Sequence, residues 1–309
     1  MDRISKTAPP IKLKVSKEPQ KGDFTSIQAA VLAAEALNVP CEITIASGVY
    51  QEQVKIYKNQ LTLIAEPNTF LCYHLAAEQT DENGQKRGTF QTATLFINSR
   101  EVFVKNLTII NDAGYGQAVG QAVGQAVAVY IEGDDIRFER CHLDAFQDTL
   151  CLGPLPKYTK EGEPMISPWR KTIFDQQQSL FLHCRISGTV DFIFGGGSAT
   201  FEECRLHCKN TPQTNYVTAA STSKQASGLT FDRCRVTGDK AYYLGRPWRN
   251  DAKVTFLSCC FDQQLAPCGW SDWGKTASHQ TVTFTERMCC YQRSPQRPEW
   301  VTIEGVIEK

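Results

Sequence analysis

The sequence lacks most of what would make its chemistry easy to name. Among 309 residues there are five histidines and three methionines, and 33 Lys and Arg exactly balance 33 Asp and Glu. A balanced charge gives no general attraction to nucleic acid or to an anionic membrane. No apolar run approaches the length of a spanning helix, and the opening stretch from Met1 to Pro10 has no apolar segment of the signal-peptide kind. The chain contains no H-E-x-x-H, no G-x-S-x-G elbow, no phosphate-binding loop and no EF-hand loop. Zinc-protease, serine-hydrolase, nucleotide and EF-hand readings therefore fall away. Any hydrolysis must be carried by carboxylates.

Cysteine, by contrast, is plentiful. The 13 residues form an odd set, so at least one thiol stays outside any intramolecular disulfide. Their number leans toward an exported, extracellular protein, while pairing stays open. Six of them fall at one position of a repeat. Phe138-Glu-Arg-Cys141 is followed by Phe181-Leu-His-Cys184, Phe201-Glu-Glu-Cys204, Phe231-Asp-Arg-Cys234 and Phe256-Leu-Ser-Cys259. The cysteines are spaced by 43, 20, 30 and 25 residues, one solenoid turn per unit with a long excursion in the first gap. Phe103 to Asn106 reads as an earlier unit, with Asn106 at the cysteine position and buried there, and Phe284 to Cys289 as the last.

Each unit alternates polar and apolar residues and then turns, so its inward side stacks on the next. The pattern predicts an all-β chain, a single-stranded right-handed parallel β-helix with an interior cysteine ladder, a short N-terminal helix and long loops flanking a cleft. A β-sandwich whose strands share the Phe-x-x-Cys pattern by chance is the alternative. The apolar spacing of Ile27, Ala30, Val31 and Ala34 places the helix within Asp23 to Asn38, with Asp23 or Thr25 as its cap. Residues 1–21 read as an extended lead-in, and 22–309 as one domain. Loops project at 153–178, 209–228 and 266–278, and loops on a rigid solenoid are where a site belongs.

Two acidic residues stand out. Asp191 lies between Val190 and Phe192-Ile-Phe-Gly195, and Asp148 between Gln147 and Thr149-Leu150, both apolar strand ends where an ionised carboxylate is costly unless paired. Arg246, in Leu244-Gly-Arg-Pro-Trp248, could supply a bidentate cationic partner. Two capping aspartates and a surface arginine would account for the same residues.

Five ordered motifs then carry a resemblance: Gly48-Val-Tyr-Gln-Glu52, Gln125-Ala-Val-Ala128, Gln147-Asp-Thr-Leu150, Asp191-Phe-Ile-Phe-Gly195 and Leu244-Gly-Arg-Pro-Trp248. The chain resembles the pectin methylesterases, the pectinesterase family, from about Gly22 to the Trp270 region. That resemblance implies a parallel β-helix with a carbohydrate cleft and ester hydrolysis by aspartates without metal or other cofactor. It implies Asp191 as nucleophile, Asp148 as general acid and then base, and Arg246 as the group that holds the nucleophile. Gln125 and Gln147 would hydrogen-bond the oxyanion, while Phe194, Trp248 and Trp270 would line the sugar site. Tyr50 and Glu52 read as structural. The implied substrate is methylated homogalacturonan, acted on by a secreted monomer with no nucleic-acid or membrane partner.

Several features depart from the family pattern. Gln117, Gln121 and Gln125 begin three near-identical tetrapeptides, and Gln125 is chosen because its tetrapeptide is the full match. Cys151 stands where the family commonly has Tyr, and the 43 residues from Asp148 to Asp191 are about twice the expected spacing. The additional loop carries Lys157, Lys160, Arg170 and Lys171, so it either covers the cleft and attracts galacturonate or is an unrelated surface loop. An esterase or thioesterase for another acyl group, or an inactive carbohydrate-binding relative, would share these residues. A calcium-dependent lyase would need an acidic cluster that the sequence does not offer.

Overall fold

The alternating repeat units become short parallel strands in a computed structural model that describes residues 9–114 and 124–307. The strands assemble into three parallel sheets of eleven, nine and seven members, in which each strand pairs with the equivalent strand one coil away. This is the right-handed parallel β-helix read from the repeat. The eleven-stranded sheet contains the Phe-bearing strands, among them Asp134–Glu139, Gln178–Leu182, Ser198–Glu202, Leu229–Asp232 and Lys253–Leu257. The seven-stranded sheet runs from Val54–Ile56 to Tyr242–Pro247, and its outer face carries the cleft. Among the described residues no helix is long and apolar enough to cross a membrane.

In-register stacking builds the core. Phe138, Phe181, Phe201, Phe231 and Phe256 form one column, with successive ring centroids 5.1, 4.7, 4.5 and 4.5 Å apart and planes within 13° of parallel. That spacing is the inter-strand distance of a sheet, so pairing the backbones also stacks the rings. Beside the rings runs the cysteine ladder. Buried Cys184, Cys204, Cys234 and Cys259 each donate Sγ–H to the carbonyl of a Phe one coil earlier, at 3.3–3.5 Å. These thiols pack as small hydrophobes with a weak donor. The nine-stranded sheet adds a disulfide, Cys260–Cys290, between paired strands of successive coils.

The corner between the Phe strand and the cysteine needs one left-handed residue per coil. Arg140, His183, Glu203, Arg233, Ser258 and Met288 all sit there with φ of 50–53°. Such conformations are costly for non-glycine residues and persist only where the surroundings impose them. Here the inter-coil ladder does so, as when Arg140 and Ser258 donate their backbone N–H to Leu182 and Arg287 at 2.9 and 2.8 Å.

The two end units differ from the sequence reading. Val104 pairs with Phe138 across the sheet, which puts Leu107 at the cysteine position and Asn106 at the left-handed corner, with φ 60°. Asn106 is therefore exposed rather than buried. At the other end Phe256 pairs with Glu286, not Phe284. Glu286 is fully buried and accepts from Trp270 Nε1 at 2.8 Å, Tyr291 Oη at 2.8 Å and Arg297 Nε and Nη2 at 2.6 and 2.8 Å.

The lead-in is likewise not separate from the domain, because Ile11–Val15 pairs with Cys41–Ile45 as the first strand of the largest sheet. The helix, Ile27–Glu35, buries Ile27, Ala30, Val31 and Ala34 as its spacing requires, but its cap is Ser26, whose Oγ accepts from Ala29 N. Glu52 closes the same helix end, accepting from Ser26 Oγ at 2.7 Å and from Ile27 N and Gln28 N at 2.9 Å. Its charge sits at the positive pole of the helix. Tyr50, fully buried, donates its hydroxyl to Ala46 O at 2.9 Å. Both residues of the first motif thus have structural tasks.

The Phe column makes a direct prediction. Phe201 is fully buried between two rings, so Phe201→Ala should cost about 3–5 kcal/mol, read as a lower denaturant midpoint. A loss below 1 kcal/mol would mean that the column contributes little.

Candidate active site

The seven-stranded sheet brings the two aspartates together through its register. Leu150 pairs with Ile193 and Cys151 with Phe194, so Asp148 and Asp191, each two residues before its strand residue, stand one coil apart. The 43 residues between them are therefore one turn of the solenoid, lengthened by the 153–178 loop. Both have left-handed backbone, φ 67° and 51°. Both line one cavity of about 260 Å³ on the outer face, together with Gln125, Gln147, Phe194, Arg246 and Trp248. Gln117 and Gln121 lie outside the described residues.

Arg246 grips Asp191 in a two-pronged pair: Nε donates to Oδ1 at 2.8 Å and Nη2 to Oδ2 at 2.7 Å. The guanidinium itself is held between aromatic faces, its Cζ 4.1 Å from the Tyr216 ring centre and 3.7 Å from that of Trp273. Planar stacking and a bidentate fork together leave it little freedom to turn. Lys275 adds positive charge nearby, its Nζ donating to Pro247 O and Trp248 O at 2.7 and 3.0 Å.

Burial acts on both carboxyls, with different opposition. It pushes Asp148 well above the usual carboxylate range, the neighbouring Asp191 charge pushes it further, and Arg246 only partly offsets them. Burial raises Asp191 as well, but there the Arg246 hydrogen bonds, its charge and that of Lys275 pull back. The pair is thus arranged for Asp148 to keep its proton while Asp191 gives its own up first. Burial and the positive charges of Lys160, Arg249 and Arg246 bring Lys275 down to about 8.

One sequence expectation needs correcting. Trp270 does not line the cleft: it is 2% exposed and points into the β-helix, stacked on Phe284 at 4.3 Å with its Nε1 on Glu286. The reason lies in Gly245, which pairs with Trp270 across the sheet. A Cβ on Gly245 would meet Thr218 Oγ1 at 2.0 Å and the indole at 3.1 Å, so the bare backbone lets both neighbours close in on the inward side. Trp273, three residues on, is the tryptophan that lines the cavity and covers Arg246. Both tryptophans lie in one loop, and the pairing with Gly245 is what separates them. Phe194 and Trp248 do meet, ring centroids 5.8 Å apart at the cavity wall. Cys151 is fully buried beneath the 153–178 loop segment and takes no part in lining the cavity.

The raised Asp148 has a consequence for stability. A carboxyl whose folded pKa exceeds its unfolded value binds its proton more tightly when folded, so stability is lost as pH rises from about 4 through the folded pKa. Asp148→Asn should therefore raise the melting temperature at pH 7, with the gain shrinking toward pH 4. A variant less stable than wild type at pH 7 would contradict this.

Comparison with known proteins agrees with this geometry. The family model described as Pectinesterase matches residues 13–162 and 165–308. Pectinesterase 31 of Arabidopsis thaliana is 29% identical over 285 residues, covering 87% of this chain and 79% of the relative. The probable pectinesterase/pectinesterase inhibitor 23 of the same plant is 30% identical over 304 residues, 92% of this chain, but the chain spans only 48% of that longer protein. Among solved structures, the pectin methylesterase PemA from Erwinia chrysanthemi superposes with a TM-score of 0.77 at 26% identity, over 96% of this chain and 93% of PemA. A shared sequence model over nearly the whole length, on the same β-helix, places the chain in the pectinesterase family of carboxylic ester hydrolases.

Proposed function

We propose that the chain hydrolyses the methyl esters of homogalacturonan, releasing methanol and leaving free galacturonate, with Asp191 as nucleophile and Asp148 as acid and then base. The observation that carries this reading is the two-pronged Arg246 grip on Asp191, with the raised Asp148 one coil away in the same cavity. Arg246 favours the ionised form of Asp191 and fixes its direction.

In this reading an Asp191 oxygen attacks the ester carbonyl carbon, and the electron pair of the C=O moves onto oxygen. Gln125 and Gln147, neutral donors on the cavity wall, stabilise that charge where it appears, a contribution of about 3 kcal/mol per donor. As the tetrahedral centre collapses, the methoxy group leaves and takes the Asp148 proton, giving methanol and an acyl–Asp191 anhydride. Asp148, now ionised, takes a proton from water, whose oxygen attacks the acyl carbon and frees Asp191. Asp148 is then protonated and Asp191 ionised as at the start, the new galacturonic acid loses its own proton to solvent, and the cycle closes without a metal. Phe194, Trp248 and Trp273 offer flat apolar area to the sugar. The same reading places the enzyme outside the cell, where such a polymer lies, and working as a monomer.

The deciding assay is methanol release from highly methylated pectin in the presence of EDTA. Wild type should release methanol and Asp191→Asn should not; an active variant, or a wild type silent on both the polymer and fully methylated hexagalacturonate, would end this reading. The pH profile offers a separate check. Activity needs Asp191 ionised and Asp148 protonated, so it should fall on both sides of an optimum. Lys275 helps keep Asp191 ionised, so Lys275→Met should move the acidic limb of kcat/KM to higher pH. An unmoved or lowered limb would show that this charge does not act on the nucleophile.

A further inference from the structure

The outward row of the cleft sheet is the natural floor for a polymer lying across the coils. Register aligns Phe96, Tyr130, Cys151, Phe194, Ala219 and Arg246 along it. All but Arg246 are buried, Phe194 and Ala219 at 4% and 3% exposure, but only Phe194, Ala219 and Arg246 line the catalytic cavity, while Phe96, Tyr130 and Cys151 are fully buried outside it. Their cover is the 153–178 loop, together with Phe90 from the opposite wall, whose ring lies 5.8 Å from that of Tyr130.

The cover is anchored rather than draped. Trp169 lies edge-on to Phe96 at 5.5 Å, with Lys55 Nζ 4.0 Å over its ring and its carbonyl accepting from Tyr57 Oη at 3.0 Å. Asn98 binds the next turn, its Oδ1 accepting from Lys171 N and Thr172 N and its Nδ2 donating to Thr172 O, all at 2.8 Å. Arg170 reaches fully buried Glu132, 3.6 Å away, which also accepts from Tyr130 Oη. At the other end of the loop, Tyr158 O accepts from Arg249 Nη2 at 2.7 Å, and Met165 enters the wall of the catalytic cavity.

Cys151 belongs to the same coil as Asp148, so the floor is already covered at the coil of the acid and on the two coils before it. Protein thus occupies the row of the sheet next to the catalytic cavity on that side. We infer, on the basis of the pectinesterase reading above, that this site acts on the methyl ester of a chain-terminal galacturonate, and so on short methylated oligogalacturonides in preference to internal residues of long pectin. A steric stop of this kind discriminates by excluding the wrong substrate rather than by improving contacts to the right one.

The test compares the full-length wild-type chain on fully methylated hexagalacturonate and on long, highly methylated pectin at equal ester concentration. Tandem mass spectrometry would locate the first ester lost from the hexamer. We expect kcat/KM per ester at least about tenfold higher on the hexamer, with the first loss at a terminal residue. Equal rates per ester, or first loss at an internal residue, would overturn the inference while leaving the pectinesterase reading intact. Methanol from neither substrate would overturn both. The paired substitution Met165→Ala with Trp169→Ala, confirmed as folded by circular dichroism, should move the ratio toward the polymer by at least about threefold; an unchanged ratio would remove the loop as the stop.

Discussion

Parallel strand pairing, coil upon coil in fixed register, is the constraint from which the rest of this protein follows. The spacing that lets one Phe ring stack on the next also sets Asp148 beside Asp191. For rings the repeat is favourable, since apolar area is removed from water at every step. For carboxylates it forces like charges together in a buried place, and the molecule answers with one clamped guanidinium on the later of the two. The asymmetry between the aspartates thus comes from a symmetric scaffold with a single cation placed off-centre.

Much of this was legible in the sequence because a solenoid writes its geometry into the spacing. The Phe-x-x-Cys units gave the β-helix, and the apolar strand ends around Asp148 and Asp191 marked carboxylates that needed a partner. The register of the outer units was less readable. Asn106 occupies a corner where several other coils have Arg, His, Glu, Ser or Met, because that position selects backbone conformation and exposure rather than side-chain type. Glu286 replaces a Phe, and nothing local in the sequence shows that Trp270, Tyr291 and Arg297 converge on it. The exchange of Trp270 for Trp273 has the same origin: inside and outside differ by three residues, and the deciding partner, Gly245, lies in the preceding coil.

The long loop shows how a repeat scaffold acquires individuality. Its insertion between the strands Leu150–Leu152 and Gln178–Leu182 leaves the ladder on either side intact. The stacking therefore fixes how Asp148, Asp191 and Arg246 meet, while the insertion changes what surrounds them, and the two can vary separately. Cys151 illustrates the coupling: beneath the insertion a small apolar thiol packs in one buried cluster with Leu155 and Tyr130.

Glu286 carries one further consequence. A column of identical rings has no intrinsic end, and a second molecule could in principle add its own coils to an unfinished one, as happens when sheet edges meet in fibrils. At the next position the column of rings gives way to a carboxylate saturated by an arginine, an indole and a phenol, and the strand beyond places Ile303 over it. One buried ion pair thereby ends the stack of rings inside the coil without ending the sheet that carries it.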